Sequence, residues 1–257
     1  MVCYNQAMGK AKLLERIWRP RSKPSLKDRL EHIWESPDFA SFFEKTKRPA
    51  CLIKKGTIIF DESDPLEKLY FIKEGFIKLY RLSEDGRDGT SYLLGPGHIV
   101  GLRALLSPDK SAKHNAEALT DIKVVSISRE EFFEHAVRDS SLLVDLLHAY
   151  IERLDYTEQR LVGFMFTDST ARVAHFLYDC AERYPTSPSA TLGAGREIVL
   201  PLKLSHQRIA DFVGSFRETV TLSLNRLEDA KIIRINKGEI VICDLQKLRE
   251  YAVGGTP

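Results

Sequence analysis

The chain lacks the cysteine spacings that mark several metal and redox classes. Only four cysteines occur in 257 residues, and no two of them form a C-x-x-C pair. This argues against a zinc ribbon, a dithiol redox pair and a local iron–sulfur cluster. Scattered thiols are typical of proteins from a reducing compartment. The four positions are Cys3, Cys51, Cys180 and Cys243.

Long apolar runs are also missing. No stretch of about 18 apolar residues occurs, so the sequence predicts no transmembrane helix. The first residues, MVCYNQAMGKAKLLERIWRPRSK, show no apolar core before a small-residue cleavage site, so we expect no secretory signal. The expected location is cytoplasmic, with no membrane partner.

The chain has little excess of charge of either sign, because its formal net charge is only +2. Overall charge therefore does not indicate nucleic-acid binding, although residues 1–50 hold 11 Lys and Arg against 6 Asp and Glu. This basic segment is either a solvated arm or one that contacts phosphate. The chain also lacks a glycine-rich phosphate loop, a metal-ligand spacing and a clustered catalytic set, so we predict neither an enzyme nor a metal site.

What is present falls into four parts. Residues 1–50 form an extension cut by prolines, in which LKDRLEHIWE (26–35) and DFASFFEK (38–45) have helical apolar spacing. Residues 51–139 predict a compact antiparallel β domain, because short segments rich in Ile, Val, Leu, Tyr and Phe alternate with Gly, Pro and Asp turns. Within it, SREEFFEH (128–135) changes to a helical period.

Residues 140–166 predict one long helix with an apolar seam. The seam positions step by four and three in alternation over three heptads, which is the pattern of paired helices. We expect this helix to pair with its copy in a homodimer; the alternative is a core helix packed on its own chain. The seam residues are Leu143, Leu147, Tyr150, Leu154, Thr157, Leu161 and Phe164.

Residues 167–257 predict a winged helix-turn-helix. Ser205 can cap a first helix, HQRIADFV, which Gly214 would end. Ser215 can cap a second helix, with Glu218 as its capping-box partner. The segment IIRINKGEIVICD then reads as a hairpin wing that turns at 236–238.

The outward face of the second helix suits DNA. Arg217, Glu218 and Thr221 lie there, and Arg can bind guanine in a bidentate manner while Glu accepts from cytosine N4. Small polar groups at both helix starts and a lysine at the wing tip suit phosphate oxygens. These expected backbone-contacting residues are Ser205, His206, Gln207, Ser215, Thr219 and Lys237.

Two long stretches resemble the family of the cyclic-AMP receptor protein and the FNR regulator. LSHQRIADFVGSFRETVTLSLNRLEDAKIIRINKGEIVI resembles its DNA-binding signature, and KLYFIKEGFIKLYRLSEDGRDGTSYLLGPGHIVGLRALL resembles its effector-domain β-roll. The resemblance covers about residues 51–250. It implies a homodimeric transcription factor on a two-fold-symmetric double-stranded DNA site, with RNA polymerase as a further partner if it activates. Arg217 and Glu218 match the base-reading pair, whereas the third base-reading Arg falls on Leu222.

The fold class that follows is α+β. It comprises an N-terminal double-stranded β-helix (a cupin-like β-roll) as effector domain, a long dimerisation helix and a C-terminal winged helix-turn-helix.

Residues that the known effectors of this family require are only partly present. Cyclic AMP in the usual pose is disfavoured, because Gly101 is followed by Leu102 instead of Glu and no Arg occurs between Arg103 and Arg129. The N-terminal cysteine cluster of FNR-type iron–sulfur sensors is absent. A haem ligand would have to be His98, a lone histidine at a turn, which is more often a surface residue.

One subgroup is closer. RLDYTEQRLVGFMFTDSTAR (153–172) and KLSHQ (203–207) resemble the cyanobacterial nitrogen regulator, which senses 2-oxoglutarate. That resemblance implies effector contacts at Arg153 and Glu158, with Lys113 in place of the cassette Arg and Gly101 and Leu102 in the cassette. A small organic anion such as 2-oxoglutarate is therefore the expected effector. A surface ion pair between Arg153 and Glu158, an effector-free or redox-tuned regulator, and a binding module without transcriptional output stay open.

Overall fold

A computed structural model describes residues 39–139, 141–184 and 197–254. Their contacts divide them into two compact units, which meet in the chain between Asp155 and Tyr156. We call residues 39–155 the β-roll unit and residues 156–254 the DNA-binding unit. The predicted helix at 26–35 and Cys3 lie outside the described residues. The four-part division of the sequence stays a prediction, since the units divide within the helix that it treats as separate.

The β-roll unit contains eight antiparallel strands in two four-stranded sheets. One sheet has the order β1-β8-β3-β6 and the other the order β2-β7-β4-β5. This confirms the predicted β-roll architecture. The strands are β1 (Cys51–Ile53), β2 (Ile58–Phe60), β3 (Lys68–Glu74), β4 (Ile77–Leu82), β5 (Asp88–Leu94), β6 (Ile99–Val100), β7 (Asn115–Ala118) and β8 (Ile122–Ser128).

Alternation of apolar residues along these strands builds two separate cores. One face of each sheet packs inside the roll, where Ile72, Ile77 and Val124 are fully buried. The other face of the first sheet is covered by helices and forms a second apolar cluster around Phe71 and Ile127. The helices are α1 (Phe39–Lys45), α2 (Leu102–Leu106), α3 (Arg129–Arg138) and the first part of α4 (Ser141–Phe166).

Helix α1 confirms the helical spacing predicted for residues 38–45. Phe39 and Phe43 on this helix are buried, and the ring of Phe43 stacks on Phe71 with centroids 4.9 Å apart. Two aromatic side chains of this size bury enough apolar area to fix a short helix on a sheet. The end of the predicted extension is therefore part of the packed β-roll unit.

The DNA-binding unit starts with the last turns of α4 and contains four further helices and a small sheet. The sheet has the antiparallel order β10-β11-β9. Its hairpin turns at Lys237 and Gly238, both with positive φ, as the wing prediction required. The elements are α5 (Ser169–Arg183), β9 (Ile198–Val199), α6 (His206–Val213), α7 (Arg217–Asp229), β10 (Ile233–Asn236), β11 (Glu239–Ile242) and α8 (Leu245–Ala252).

The helix ends confirm one predicted cap and correct another. Ser205 is the N-cap of α6, and its hydroxyl accepts from the Arg208 backbone N–H at 3.2 Å. Gly214 ends α6 in the left-handed conformation, with φ 58°. The predicted Ser215 cap of α7 is wrong: the N-cap is Phe216, and it makes no side-chain capping bond. The hydroxyl of Ser215 instead lies 3.3 Å from that of Ser169 on α5, which removes it from the helix end.

No helix of the described ranges combines the length and the apolar character that crossing a membrane requires.

Candidate DNA-binding surface and effector site

The start of α6, the start of α7 and the wing together line a groove. Its volume is about 330 Å³. The predicted phosphate-contacting residues Ser205, His206 and Gln207 line it together with Arg217 and with Gly238 from the wing. The backbone N–H groups at the start of α6 point toward the N-terminal end of the helix and give it a partial positive charge, which favours an anionic group such as a phosphate.

A direct bond ties the two helices of the motif together above this groove. His206 Nδ1 lies 2.8 Å from the hydroxyl of Thr221, which itself donates to the Arg217 carbonyl at 2.9 Å. The Thr221 oxygen is thus already engaged inside the protein. Its base-reading role stays a prediction, and its observed role is to fix α6 against the first turn of α7.

The exposed face of α7 carries an unusual mixture of charged and apolar side chains. Arg217 and Glu218 are exposed at its first turn, as predicted. Leu222 is 60% exposed one turn later, and Phe216 at the N-cap is 68% exposed. The opposite face is fully buried through Val220, Leu224 and Leu227. Helix α7 therefore presents Glu218 and Leu222 next to each other on the side away from the protein core.

Other predicted contact residues lie around this face. Thr219 is half-buried and Lys237 is exposed at the wing tip. Arg226, farther along α7, donates to the Thr170 hydroxyl on α5 at 3.4 Å, so that it is directed to its own unit. Arg217 at the first turn of α7 and Lys237 at the wing tip are exposed cations of this surface.

Helix α4 bears an exposed apolar stripe along its length. Leu147, Leu154 and Leu161 of the predicted seam are all more than half exposed, and Leu143 is 38% exposed. The prediction that Tyr150 belongs to the exposed seam needs correction. Its hydroxyl donates to the Leu102 carbonyl at 2.5 Å, and its ring packs on the β-roll core. The exposed residues that alternate by three and four are Val144, Leu147, Ile151, Leu154, Glu158, Leu161 and Met165, which we call the α4 stripe.

The predicted cassette residues lie at the start of α2. Gly101 has φ 96°, and a Cβ at this position would lie 2.7 Å from the Leu66 side chain, so only glycine fits without displacement. Leu102 is buried and its carbonyl receives the Tyr150 hydroxyl. This segment is thereby fastened to the first half of α4.

Arg153 projects from α4 into the β-roll unit, as the sequence predicted. Its Nη2 donates to the Ile99 carbonyl of β6 at 2.6 Å, and its guanidinium carbon lies 5.6 Å from the Tyr92 ring centroid. The Tyr92 ring in turn meets the ring of His114 edge to face, with centroids 6.0 Å apart. Burial lowers the pKa of His114, and the nearby Arg153, Arg81 and Arg103 lower it further. The site thus combines a partly buried neutral histidine with a positive field, which favours an anionic ligand.

The other two predicted effector residues are both exposed. Lys113 is exposed with φ 56°, and its ammonium pairs with Asp109 at 3.0 Å. Glu158 is exposed and lies five residues after Arg153 on one helix, which turns it about 140° away from Arg153. Within one chain, therefore, Glu158 and Arg153 project to different sides, and Glu158 belongs to the α4 stripe.

Tyr92, His114 and Arg103 were missed by the sequence reasoning. They come from β5, from the loop before β7 and from α2, and no spacing in the sequence links them. Tyr92 and His114 come together because β4 pairs with both β5 and β7, and Arg103 on α2 lies near His114 as well. Only the three-dimensional pairing could have found them.

Comparison with known proteins adds the family. Residues 51–139 match the cyclic nucleotide-binding domain and residues 171–251 match the Crp-like helix-turn-helix domain. The global nitrogen regulator of Synechococcus elongatus is 31% identical over 191 residues, which are 74% of this chain and 83% of that protein. A CRP-like cAMP-activated global transcriptional regulator of Mycobacterium tuberculosis is 28% identical over 198 residues, 77% of this chain and 85% of the other.

A solved structure agrees with these relatives. FixK2 from Bradyrhizobium japonicum superposes with a TM-score of 0.69 at 25% identity, covering 79% of this chain and 96% of the other. The predicted α+β architecture is confirmed, and family members are transcriptional regulators rather than enzymes. The chain therefore belongs to the CRP/FNR family of transcriptional regulators, with an N-terminal effector-binding fold and a C-terminal DNA-binding helix-turn-helix.

Proposed function

We propose that the protein is a homodimeric regulator of transcription that binds a two-fold-symmetric DNA site under the control of a small organic anion. The anion binds in the β-roll unit beside Arg153. The observation that carries the effector part is the grouping of Arg153, Tyr92 and the neutral His114 at one end of the roll.

Dimer formation is supported by the α4 stripe. Side chains such as Leu154 and Leu161 are exposed by more than half, and their spacing by three and four matches the seam of paired helices. Exposed apolar rows of this length are unusual on a monomer and are typical of interaction surfaces. A second copy of the same helix covers this stripe with matching residues, as two-fold symmetry requires.

Base reading is assigned to Arg217 and Glu218, with phosphate contacts from the groove and the wing. Both side chains stand exposed at the start of α7. Substituting Arg217→Ala should cost about 1–3 kcal/mol of binding free energy and relax discrimination at one base pair per half-site. The measurement is competitive binding to single-base variants of a DNA site selected by the protein, with Lys247→Ala on α8 as the exposed cationic control. Unchanged base preference in the Arg217 variant would remove this residue from the reading set.

The effector is proposed to carry carboxylates, with 2-oxoglutarate as the first candidate. A guanidinium can bind a carboxylate in a bidentate manner, and the Tyr92 ring restricts its orientation. The cyanobacterial relative is named as a global nitrogen regulator, which makes a nitrogen-status metabolite a sensible choice. Cyclic AMP remains the comparison ligand, since the mycobacterial relative is named as cAMP-activated.

Calorimetry with the full-length protein tests this assignment. We expect 2-oxoglutarate to bind the wild type, and Arg153→Ala to abolish that binding. Arg87→Ala is the matched control, because Arg87 is an exposed residue of the same unit paired with Asp85 in the β4–β5 turn. Binding of cyclic AMP but not of 2-oxoglutarate would contradict the anion assignment. Absence of both would favour the effector-free or redox-tuned alternative, which DNA binding with and without reductant then tests.

A further inference from the structure

Two carbonyls at the C-terminal end of α6 accept hydrogen bonds from outside the motif. A helix end leaves its last carbonyls without partners from its own ladder. In α6, the Phe212 carbonyl accepts from Arg160 Nη2 at 2.6 Å, and the Val213 carbonyl accepts from Arg172 Nε at 3.1 Å. The two donors come from different helices, since Arg160 lies on α4 and Arg172 lies on α5.

These two cations suit the place electrostatically. The carbonyl end of a helix carries partial negative charge, so positively charged side chains stabilise it. Arg172 is itself fixed, because it also donates to the Thr167 carbonyl at 2.9 Å and lies 3.2 Å from the Ser169 hydroxyl. Arg172 therefore links the α4–α5 junction to the end of α6.

An aromatic ring completes the connection. Phe164 on α4 lies against Gly214 so closely that a Cβ at Gly214 would be 2.6 Å from the ring. The guanidinium carbons of Arg172 and Arg160 lie 5.3 and 5.9 Å from the centroid of the same ring, within the range of cation–π contact. The turn of the helix-turn-helix is thus seated on the end of α4. We call Arg160, Phe164 and Arg172 the α4 clamp.

Packing around the α4 clamp is tight. Phe212 stacks on Phe176 of α5 with centroids 4.8 Å apart. The cavity that remains beside the clamp has a volume of about 30 Å³, enough for one water molecule. Sliding α6 along α4 would break the Arg160 bond and separate Gly214 from the Phe164 ring, so these two contacts resist that movement.

We infer that the α4 clamp is the positioning element that fixes each recognition helix to the dimerisation helix and thereby sets the half-site spacing that the dimer accepts. This inference rests on the proposed dimer through α4. Since α4 carries both the stripe and the clamp, the distance between the two α7 helices depends on how rigidly α6 is attached to α4. Arg160 and Arg172 are positioning residues, and they act on DNA through α6.

The test compares spacing preference in full-length variants. DNA selected from a random pool by the wild type supplies an inverted repeat, from which versions with the spacer changed by one and two base pairs and a single half-site are made. Arg160→Met removes the donor and keeps the apolar stem, Arg160→Lys keeps one donor, and Arg249→Met on α8 is the exposed control. Fluorescence anisotropy gives the affinities, and thermal unfolding gives the stability of each variant.

We expect Arg160→Met to bind the single half-site within about two-fold of the wild type, while its preference for the selected spacing falls at least five-fold. Arg160→Lys should recover part of the preference, and Arg249→Met should behave as the wild type. Unchanged spacing preference in Arg160→Met would overturn the inference, and so would a uniform loss on half-site and full site. Arg160→Met could fail to fold. In that case, wild-type spacing preference in both Arg160→Lys and Phe164→Leu would overturn the inference.

The DNA affinities of the wild-type protein test the proposed dimer. A wild-type protein that binds the single half-site as tightly as the inverted repeat would contradict the dimer, and the spacing inference with it. If the wild type prefers the selected inverted repeat and Arg160→Met prefers it equally, the role of the clamp is contradicted and the proposed dimer is not.

Discussion

Leu222 gives α7 an apolar side chain where the family's third base-reading arginine would stand. It is well exposed and follows Glu218 by one helical turn. An exposed leucine cannot donate to guanine, but its methyl groups can contact the 5-methyl group of thymine in the major groove. We therefore expect a half-site with a thymine beside the base pair that is assigned to Glu218 in the proposed function.

Replacing that thymine by deoxyuridine tests this directly, because only one methyl group is removed. Wild-type affinity should fall by about 0.8 kcal/mol, the value of one buried methyl group. Leu222→Ala should bind the two DNAs equally well, and competition binding measures the difference. Sensitivity to deoxyuridine that persists in Leu222→Ala would assign the methyl contact to another residue, with exposed Phe216 the next to examine.

His175 links the stability of the DNA-binding unit to pH. This histidine is half-buried on α5, and the loss of solvation there, together with Arg183 and Arg160, holds its pKa well below the usual value. The folded protein therefore keeps His175 neutral, whereas the unfolded chain binds a proton near pH 6.5. Stability attributable to His175 is complete above that pH and is lost as the pH falls below it, by up to about 1.4 kcal/mol per pH unit.

Urea unfolding at pH 7.5 and 6.0 measures the effect. We expect the wild type to lose more stability over this interval than His175→Gln, which has no proton to bind. Neighbouring Asp179 acts in the opposite sense, because burial raises the pKa of its carboxyl. The stability that Asp179 contributes grows as the pH falls, so the comparison is not extended below pH 6.0. Equal losses in the two proteins would contradict the assignment to His175.

At the scale of the element, Glu158 interrupts the α4 stripe. It occupies one seam position between Leu154 and Leu161, and in a paired helix it would face its counterpart. A polar residue at one seam position lowers the stability of paired helices and specifies their register. The pairing of α4 should therefore be weaker than its apolar residues alone would give.

Two substitutions on this helix should act in opposite directions. Glu158→Leu completes the stripe and should lower the dimer dissociation constant at least ten-fold, whereas Leu161→Glu should produce a monomer. Sedimentation equilibrium measures both, and Glu152→Leu on the same helix is a control outside the stripe. A tight dimer in Leu161→Glu would place the dimer contact on another surface.

At the scale of the whole molecule, the two compact units have separate cores. Ile72 is fully buried in the β-roll unit and Leu177 is fully buried in the DNA-binding unit. Since most contacts lie inside the units, we expect calorimetry to show two unfolding transitions. Ile72→Ala should shift one and Leu177→Ala the other, each by a destabilisation of about 2–5 kcal/mol. One joint transition that both variants shift equally would show that the units unfold together.

Much of this architecture could be predicted because its signals are local. Alternating strands, the cap at Ser205 and the wing turn at 236–238 depend on neighbours in sequence, and the structure bears out these elements. The candidate effector site could be predicted only through Arg153, since Tyr92 and His114 reach it by strand pairing. Tyr150 was misplaced because a heptad pattern cannot distinguish residues that face a partner helix from those that face a neighbouring sheet.

The contact between Phe164 and Gly214 also limits how the protein can be recombined. A chimera that joins residues 167–257 to a foreign dimerisation helix would keep Gly214 but lose the ring on which it rests. It would also lose Arg160. The DNA-binding unit can be transferred to another protein only if the junction precedes Tyr156, so that the last turns of α4 are included.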